Sequence, residues 1–210
     1  LISGIEFGIP SSEIMKLLMI TDAVRRQDTK TEITLVIPYV PYARQDRVCY
    51  KGEALSIKVF ADLINSQNYT KVITLDNHSD VSTALLNNCV NYPLYQWFNP
   101  DMDCPYYLDE GIQKLIRKQA LVVSPDAGAL KKTYNFAKVY GGLGVISATK
   151  LRDTSTGDIT ETKVYVDTLK GETVFILDDL IDGGRTFIEL AKKLREKKAD
   201  KVYLIATHGI

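Results

Sequence analysis

The sequence predicts an α/β protein with two tandem domains, each built on a mostly parallel sheet flanked by helices. Short apolar runs of strand length alternate with segments of helical periodicity, an order that produces parallel strands joined by crossover helices. Clusters of polar residues follow several of these runs, at the strand ends where open parallel sheets collect their ligands. A segment rich in proline and aromatic residues interrupts the alternation near the middle of the chain. These three observations define the fold class.

The first half of the chain is predicted to follow the order strand, helix, strand, helix, strand. The run TEITLVIPYV is rich in β-branched and apolar residues, which is typical of a buried strand. Apolar residues three and four positions apart indicate the helices, and Ser11 or Ser12 is a suitable N-cap for the first of them. Strands are expected at 2–10, 31–40 and 71–75, and helices from residue 11 or 12 through Val24 and over 54–67.

The second half begins after an irregular segment, residues 88–105, that carries Pro93, Pro100 and Pro105. We therefore predict one domain over 1–100 and a second over 101–210. The segment 150–162 is polar and contains glycine, so it is expected to be a mobile loop. Helices are expected at 112–117, 129–140 and 187–198, and strands at 120–124, 141–148, 163–167, 174–177 and 201–207.

Composition limits the functions that the chain can have. Its 210 residues are 45% hydrophobic, enough for one sizeable domain or two small ones. The net charge is zero, so we expect no nucleic-acid partner. The three cysteines lack metal-binding spacing, and no apolar run has membrane-spanning length, so a cytoplasmic protein with small-molecule partners and no membrane contact is expected. Because the sequence starts without methionine and ends directly after a strand-like run, we expect it to be part of a longer protein.

The stretch 174–186 carries the strongest functional signal. A short apolar run precedes two adjacent carboxylates, Asp178 and Asp179, and a turn rich in glycine then leads into a helical pattern. Glycines and a helix N-terminus present N–H groups to an anion, while paired aspartates bind sugar hydroxyls or a hydrated divalent cation. The alternative is an ordinary helix entry in which Asp182 or Thr186 is the N-cap. The functional interpretation is favoured because adjacent acids at the end of a buried strand are costly without a partner.

Residues 174–187, VFILDDLIDGGRTF, resemble the phosphoribosyl-pyrophosphate (PRPP) binding loop of the type I phosphoribosyltransferase fold. They are most similar to the loop of ribose-phosphate pyrophosphokinases, also called PRPP synthetases. The segments PYARQD, SPDAG and Lys150-Leu151-Arg152 resemble further motifs of that family in the same order. The resemblance implies a phosphoribosyltransferase type I-like fold and transfer of the β,γ-diphosphoryl group of ATP to the anomeric hydroxyl of ribose 5-phosphate, giving PRPP and AMP. It also implies a Mg²⁺ cofactor and a homo-oligomer, either a hexamer or a dimer.

The resemblance also assigns the residues that meet ATP. Arg44 and Gln45, in PYARQD, would bind ATP together with His78, which follows a predicted strand. Lys150 and Arg152 would be the catalytic pair, on a loop that closes over the reacting phosphates. Taken without the resemblance, these charges are consistent with ordinary solvated loops.

The ribose phosphate site would lie at the carboxyl ends of two strands. Asp126, in SPDAG, would contact the ribose or its magnesium, and His78 is the second predicted magnesium contact. Asp178 and Asp179 would hold the ribose hydroxyls. The 5-phosphate would be bound by the following loop, namely Asp182, Gly183, Gly184, Arg185 and Thr186.

Four residues depart from the family pattern, the mildest being Ala129, which replaces the usual second glycine of the SPDAG motif. Arg185 replaces a small residue and Gly183 replaces threonine in the 5-phosphate loop, and Asn77 replaces an apolar residue beside His78. The Arg185 guanidinium brings five hydrogen-bond donors and a fixed positive charge, which could bind additional phosphate on a longer 5-substituent. As an alternative we therefore hypothesise an acceptor larger than ribose 5-phosphate, such as ADP-ribose. Two further alternatives are a phosphoribosyltransferase, which shares the loop, and a non-catalytic regulatory subunit of a PRPP synthetase.

Overall fold

A computed structural model divides the chain into two compact units, Leu1–Pro93 and Leu94–Ile210. The predicted domain boundary at residue 100 lies outside the described residues, and so does Cys104. The structure describes residues 2–3, 10–97, 110–117, 120–152 and 159–210.

The first unit contains a four-stranded sheet in which every strand pairs in parallel with its neighbour. Its strands are β1 (Ile2–Ser3), β2 (Thr34–Ile37), β3 (Lys71–Leu75) and β4 (Cys89–Tyr92), and its helices are α1 (Pro10–Gln27), α2 (Ser56–Asn65) and α3 (Asp80–Leu85). The strand order is β1-β2-β3-β4, the sequential arrangement that short crossover helices produce.

Helix α2 covers the core of this unit as its periodicity predicts. Ile57, Phe60 and Ile64 are fully buried, and they belong to one apolar cluster with Leu35 and Ile37 of β2. Burial of such side chains stabilises the fold by about 1.5–3 kcal/mol each, so α2 holds the sheet in place through its apolar face.

Two predictions for the first unit are wrong in detail. Helix α1 begins at Pro10, so Ser11 and Ser12 lie inside its first turn and not at the cap; proline suits that position because its missing N–H would have no partner there. The segment predicted to be irregular from residue 88 contains β4, which pairs in register with β3 from Val72 opposite Cys89. A four-residue edge strand has too little periodicity to be recognised without its partner.

The second unit is built on a five-stranded sheet. Its strands are β5 (Leu121–Ser124), β6 (Val145–Arg152), β7 (Ile159–Val164), β8 (Thr173–Ile181) and β9 (Lys201–Gly209), and its helices are α4 (Glu110–Arg117), α5 (Leu130–Val139) and α6 (Arg185–Glu196). The order is β7-β6-β5-β8-β9, and all neighbours are parallel except β7, which runs antiparallel to β6. The prediction of mostly parallel sheets is therefore confirmed.

Strand β8 and the β6–β7 pair extend further than the sequence predicts. Strand β8 continues through Asp178 and Asp179, so the acidic pair lies within the strand and not after it, because β9 offers partners as far as Ile181 opposite Gly209. Lys150 and Arg152 belong to β6, and Lys150 pairs with Thr162 of β7. The expected mobile loop is thus replaced at both ends by strands; residues 153–158 lie outside the described part of the chain.

Helices cover both faces of the central strands. Adjacent residues of a strand point to opposite faces, and the residues of β5 and β8 accordingly divide between two apolar clusters. Val122 packs in one cluster with Phe136 of α5, while Val123 packs in the other with Leu190 and Leu194 of α6. Because helices cover both faces of such a sheet, its ligands bind outside the carboxyl ends of its strands.

Candidate active site

Three neighbouring parallel strands bring charged side chains to one edge of the second sheet. In the register of β5, Ser124 lies opposite Ser147 of β6, and Val123 lies opposite Ile176 of β8. Asp126, Lys150 and Asp178 follow these positions by two or three residues. The structure therefore places at one edge the residues that the sequence predicts for ribose binding and for catalysis.

Asp126 is held by contacts on both of its carboxylate oxygens. Its Oδ1 accepts a hydrogen bond from the Ala129 backbone N–H at 3.1 Å, and its Oδ2 lies 3.1 Å from the Lys150 Nζ. The Ser124 hydroxyl donates to the Asp126 carbonyl at 2.6 Å. A Cβ atom at Gly128 would lie 3.3 Å from Oδ1, so glycine gives the carboxylate its room. The loop thus fixes one carboxylate while leaving 42% of its side chain exposed.

Lys150 carries the most buried cation of this group. Its side chain is only 9% exposed, and its ammonium pairs with Asp126. A buried ammonium needs such a partner because desolvation of an unpaired charge costs several kcal/mol. The side chain of Arg152, the second predicted catalytic cation, lies outside the described side chains.

Lys132 is a residue of this site that the sequence did not predict. Its Nζ lies 3.4 Å from Asp179 Oδ1, and the Asp179 side chain is 7% exposed. Lys132 is the third residue of α5, and a cation in the first turn opposes the helix dipole. The unfavourable position of this lysine is a signal in the sequence, because a nearby carboxylate would offset the repulsion between its charge and the helix dipole.

The site contains three carboxylates, Asp126, Asp178 and Asp179, and two paired ammoniums. Burial and the adjacent charge of Asp179 raise the pKa of Asp178 to about 7, and the charge of Asp126 adds to this effect. The Asp179 backbone N–H, which donates to Asp178 Oδ1 at 2.9 Å, and the Lys150 ammonium act in the opposite direction. Asp178 therefore exchanges between its protonated and ionised forms near neutral pH.

Replacement of Asp178 with asparagine should change how stability depends on pH. The Asp178 pKa is about 3.9 when unfolded and about 7 in the folded chain. The unfolded chain thus ionises first, and the native chain loses stability as pH rises from about 4 to about 7. Asp178→Asn should remove a loss on the order of 2 kcal/mol between pH 5 and pH 8. Urea unfolding of both proteins at pH 5 and pH 8 measures this loss. If the substitution changed the free energy of unfolding equally at the two pH values, the raised pKa of Asp178 would be contradicted.

The loop after β8 presents an uncapped helix start. Gly184 is the N-cap of α6 with φ = 72°, a left-handed conformation that favours glycine, and glycine has no side chain to cap the first N–H groups of the helix. The alternative in which Asp182 or Thr186 caps the helix is therefore not observed. Asp182 Oδ1 instead accepts from the Gly183 N–H at 2.8 Å. Arg185 is the exposed first residue of α6, so the loop places N–H donors and a guanidinium at one helix start.

A second polar cluster follows β2 and β3 in the first unit. Gln45 hydrogen-bonds the Ser56 hydroxyl at the start of α2. Burial opposes ionisation of Asp46, but hydrogen bonds from Ser79 and Arg47 outweigh burial, and the pKa of Asp46 is lowered, with a smaller contribution from the charge of His78. The structure thus brings the loop that carries Arg44 and Gln45 next to the segment that carries the exposed His78.

Two family models match the chain. The model described as the N-terminal domain of ribose phosphate pyrophosphokinase matches residues 7–67, and the model described as the phosphoribosyl synthetase-associated domain matches residues 162–210. Over both stretches the chain is similar to ribose-phosphate pyrophosphokinases.

Individual members of the ribose-phosphate pyrophosphokinase family match nearly the whole chain. The chain is 33% identical over 198 residues to the enzyme of that name from Aquifex aeolicus, covering 94% of this chain and 60% of the relative. It is 32% identical over 200 residues to that of Nostoc sp., covering 95% and 57%. The solved phosphoribosylpyrophosphate synthetase of Mycobacterium smegmatis superposes with a TM-score of 0.77 at 28% identity, covering 95% of this chain and 61% of that one.

These matches test the fold and the alternative acceptor. The superposition confirms the predicted α/β fold of phosphoribosyltransferase type I kind. The relatives are named for ribose phosphate, and the larger acceptor inferred from Arg185, ADP-ribose, is not supported. The chain spans about three-fifths of the length of the ribose-phosphate pyrophosphokinases it matches. No helix within the described residues is long and apolar enough to cross a membrane.

The described residues contain no group of three or more His, Cys, Asp or Glu side chains arranged to hold a metal ion. The two predicted magnesium contacts, His78 and Asp126, lie in different units. Mg²⁺ is usually held by one or two carboxylates together with water and substrate phosphates. The partly exposed Asp126 carboxylate and the neighbouring Asp178 fit that mode of binding.

Proposed function

We propose that this chain transfers the β,γ-diphosphoryl group of ATP to the anomeric hydroxyl of ribose 5-phosphate, giving PRPP and AMP. The observation that carries the proposal is the meeting of Asp126, Lys150 and Asp178 at one sheet edge. Parallel sheets bind ligands at this edge, and the chain's relatives are named for the same activity.

Ribose 5-phosphate would bind along β8 and the start of α6. Ionised Asp178 and Asp179 would accept hydrogen bonds from the ribose hydroxyls. The 5-phosphate would lie against the uncapped first turn of α6, between Asp182 and Thr186, where N–H donors and the helix dipole favour an anion. Lys132 would keep Asp179 ionised and in place.

Lys150 would stabilise the charge of the transferring diphosphoryl group. Its ammonium is paired with Asp126, and approach of the phosphates gives it a second anionic partner at the same edge. We assign Arg152 the same role from the resemblance. Magnesium, held by Asp126 and the substrate phosphates, would neutralise phosphate charge. Arg44, Gln45 and His78 would bind ATP. No covalent intermediate is required, since alignment and charge stabilisation suffice for phosphoryl transfer.

The test is to follow AMP and PRPP formation from ATP, Mg²⁺ and ribose 5-phosphate. Equal amounts of AMP and PRPP are expected. Formation of ADP would show transfer of a single phosphoryl group and would contradict the proposal, and so would the absence of both products. The homo-oligomer and the cytoplasmic location implied by the resemblance stay predictions. Light scattering of the purified protein measures its oligomeric state.

A phosphoribosyltransferase is the second candidate because it would use the same phosphate loop. The buried Lys150 paired with Asp126 favours the synthetase, since a transferase that consumes PRPP needs no cation for an ATP phosphate. Incubation with PRPP and each nucleobase decides between them: pyrophosphate release would favour the transferase. A non-catalytic regulatory subunit is disfavoured by the same intact charge pair.

A further inference from the structure

The turn that carries His78 is backbone-strained. Asp76, directly after β3, has φ = 43° and is 1% exposed. A non-glycine residue rarely adopts this left-handed conformation unless its surroundings hold it there. The contacts around Asp76 therefore help to hold the backbone that leads to His78.

Three hydrogen bonds hold this turn to its neighbours. The Asp76 N–H donates to the Tyr92 carbonyl at 3.0 Å, and the Asn77 backbone N–H donates to Asn91 Oδ1 at 3.2 Å. The Asn77 side-chain amide donates to the Thr83 hydroxyl of α3 at 2.9 Å. The turn is thus attached to the end of β4 on one side and to α3 on the other.

Asn91 is the side chain in this set that reaches the turn from the neighbouring strand. It lies opposite Thr74 in the register of β3 and β4, and its Oδ1 also accepts from the Thr74 hydroxyl at 3.4 Å. The Oδ1 atom of Asn91 therefore links the Thr74 hydroxyl, near the end of β3, to the Asn77 backbone N–H, which directly precedes His78. An apolar side chain at residue 91 could accept neither bond.

Asn77 makes this attachment unusual. Its side chain is 5% exposed, and it stands where the resemblance expects an apolar residue. The Thr83 hydroxyl accepts a hydrogen bond from the Nδ2 of this buried amide, while its Oδ1 is buried with no hydrogen-bond partner among the described residues. Asn77 and Asn91 therefore replace apolar packing around the turn with directed hydrogen bonds.

We propose that Asn91 is a positioning residue for His78. Through the backbone N–H of Asn77 it holds the turn at residues 76–78 in the conformation that presents the imidazole to ATP. This inference rests on the proposed function, which assigns His78 to ATP binding. The positioning itself exists without nucleotide, so it can be measured apart from activity.

The first test is the nuclear magnetic resonance spectrum of the imidazole groups in the chain without ligand. The sequence contains two histidines, so His208 serves as an internal reference, and His78→Gln assigns the signals. In Asn91→Leu the His78 signal should shift or broaden while the His208 signal stays in place. An unchanged His78 signal would overturn the proposal.

The second test is the kinetics of the same variant. Asn91→Leu should raise the KM for ATP about 5–20-fold and leave kcat within a factor of two, because one backbone hydrogen bond that orients a binding residue is lost. If the His78 signal moves but the KM for ATP does not, the role of His78 in ATP binding fails together with the proposal. Absence of AMP formation in the unmodified protein would reject the proposed function while the spectrum still reports on positioning.

Asn65→Leu is the matched control. Asn65, in α2, is half-buried and also hydrogen-bonds backbone: its Nδ2 donates to the Leu85 carbonyl at 2.8 Å, and its Oδ1 accepts from the Asn87 N–H at 2.8 Å. The same substitution there should lower the Tm without moving the His78 signal or the KM for ATP. If Asn91→Leu and Asn65→Leu change the His78 signal and the KM for ATP equally, Asn91 has only a general structural role and the proposal is wrong.

Discussion

Replacement of Lys150 with alanine is expected to reduce AMP formation at saturating substrates by about 10²–10³-fold. This is the usual cost of removing one preorganised charge donor from a transition state. The Lys150 ammonium is positioned by its 3.1 Å contact with Asp126, and its side chain is 9% exposed, so water cannot replace it efficiently. The loss should fall on kcat, because the cation acts on charge that develops during transfer.

Lys163→Ala is the control for this prediction. Lys163 lies on β7 opposite Thr149, one residue from Lys150 along β6, and it is exposed. Its removal should change kcat by less than a factor of three. Lys150→Arg keeps the charge and should recover part of the activity. If Lys150→Ala retained activity within threefold of the unmodified protein, the catalytic role of Lys150 would be excluded.

The second large effect is expected from Asp126→Asn. The change removes the charge that pairs with Lys150 and a proposed magnesium contact, so activity should fall about 10²-fold at low Mg²⁺ and recover in part at high Mg²⁺. The charge of Asp126 also contributes to the raised pKa of Asp178. The pKa of Asp178 should therefore decrease in the variant, and carboxyl titration by nuclear magnetic resonance can detect this change.

Asp200→Asn controls for the loss of an acidic side chain as such. Asp200 is exposed and immediately precedes β9, at the amino-terminal edge of the sheet. Its replacement should leave the Mg²⁺ dependence unchanged. If the two variants showed the same Mg²⁺ dependence, Asp126 would have no special relation to the metal.

Much of the candidate site could be predicted because its signals are local in sequence. The order of apolar run, acidic pair, glycines and helix is contained in residues 174–186, and Gly184 adopts the positive φ that its residue type favours. The helical periodicity of α2 likewise needs only its own residues. Asn91 and Lys132 were missed because each acts on a residue that is distant along the chain.

The length of β8 and β6 also depended on partners. Asp178 and Asp179 look like loop residues in sequence, since carboxylates are uncommon inside strands, yet β9 pairs with β8 as far as Ile181. The polar residues 160–162 of β7 form a strand because β6 lies beside them. Strand propensity is decided by such neighbours more than by the residue itself.

Local patterns along the chain were enough to predict the fold class, the resemblance to ribose-phosphate pyrophosphokinases and the residue types of the phosphate loop. Which charges pair could be learned only from the assembled fold. Asp126 and Lys150 are 24 residues apart and meet because β5 and β6 pair in one register, while Lys132 meets Asp179 because α5 packs beside the sheet. Propensity and motif order act over a few residues, but charge pairing and the pKa of Asp178 follow distances and burial that exist only after the strands have assembled.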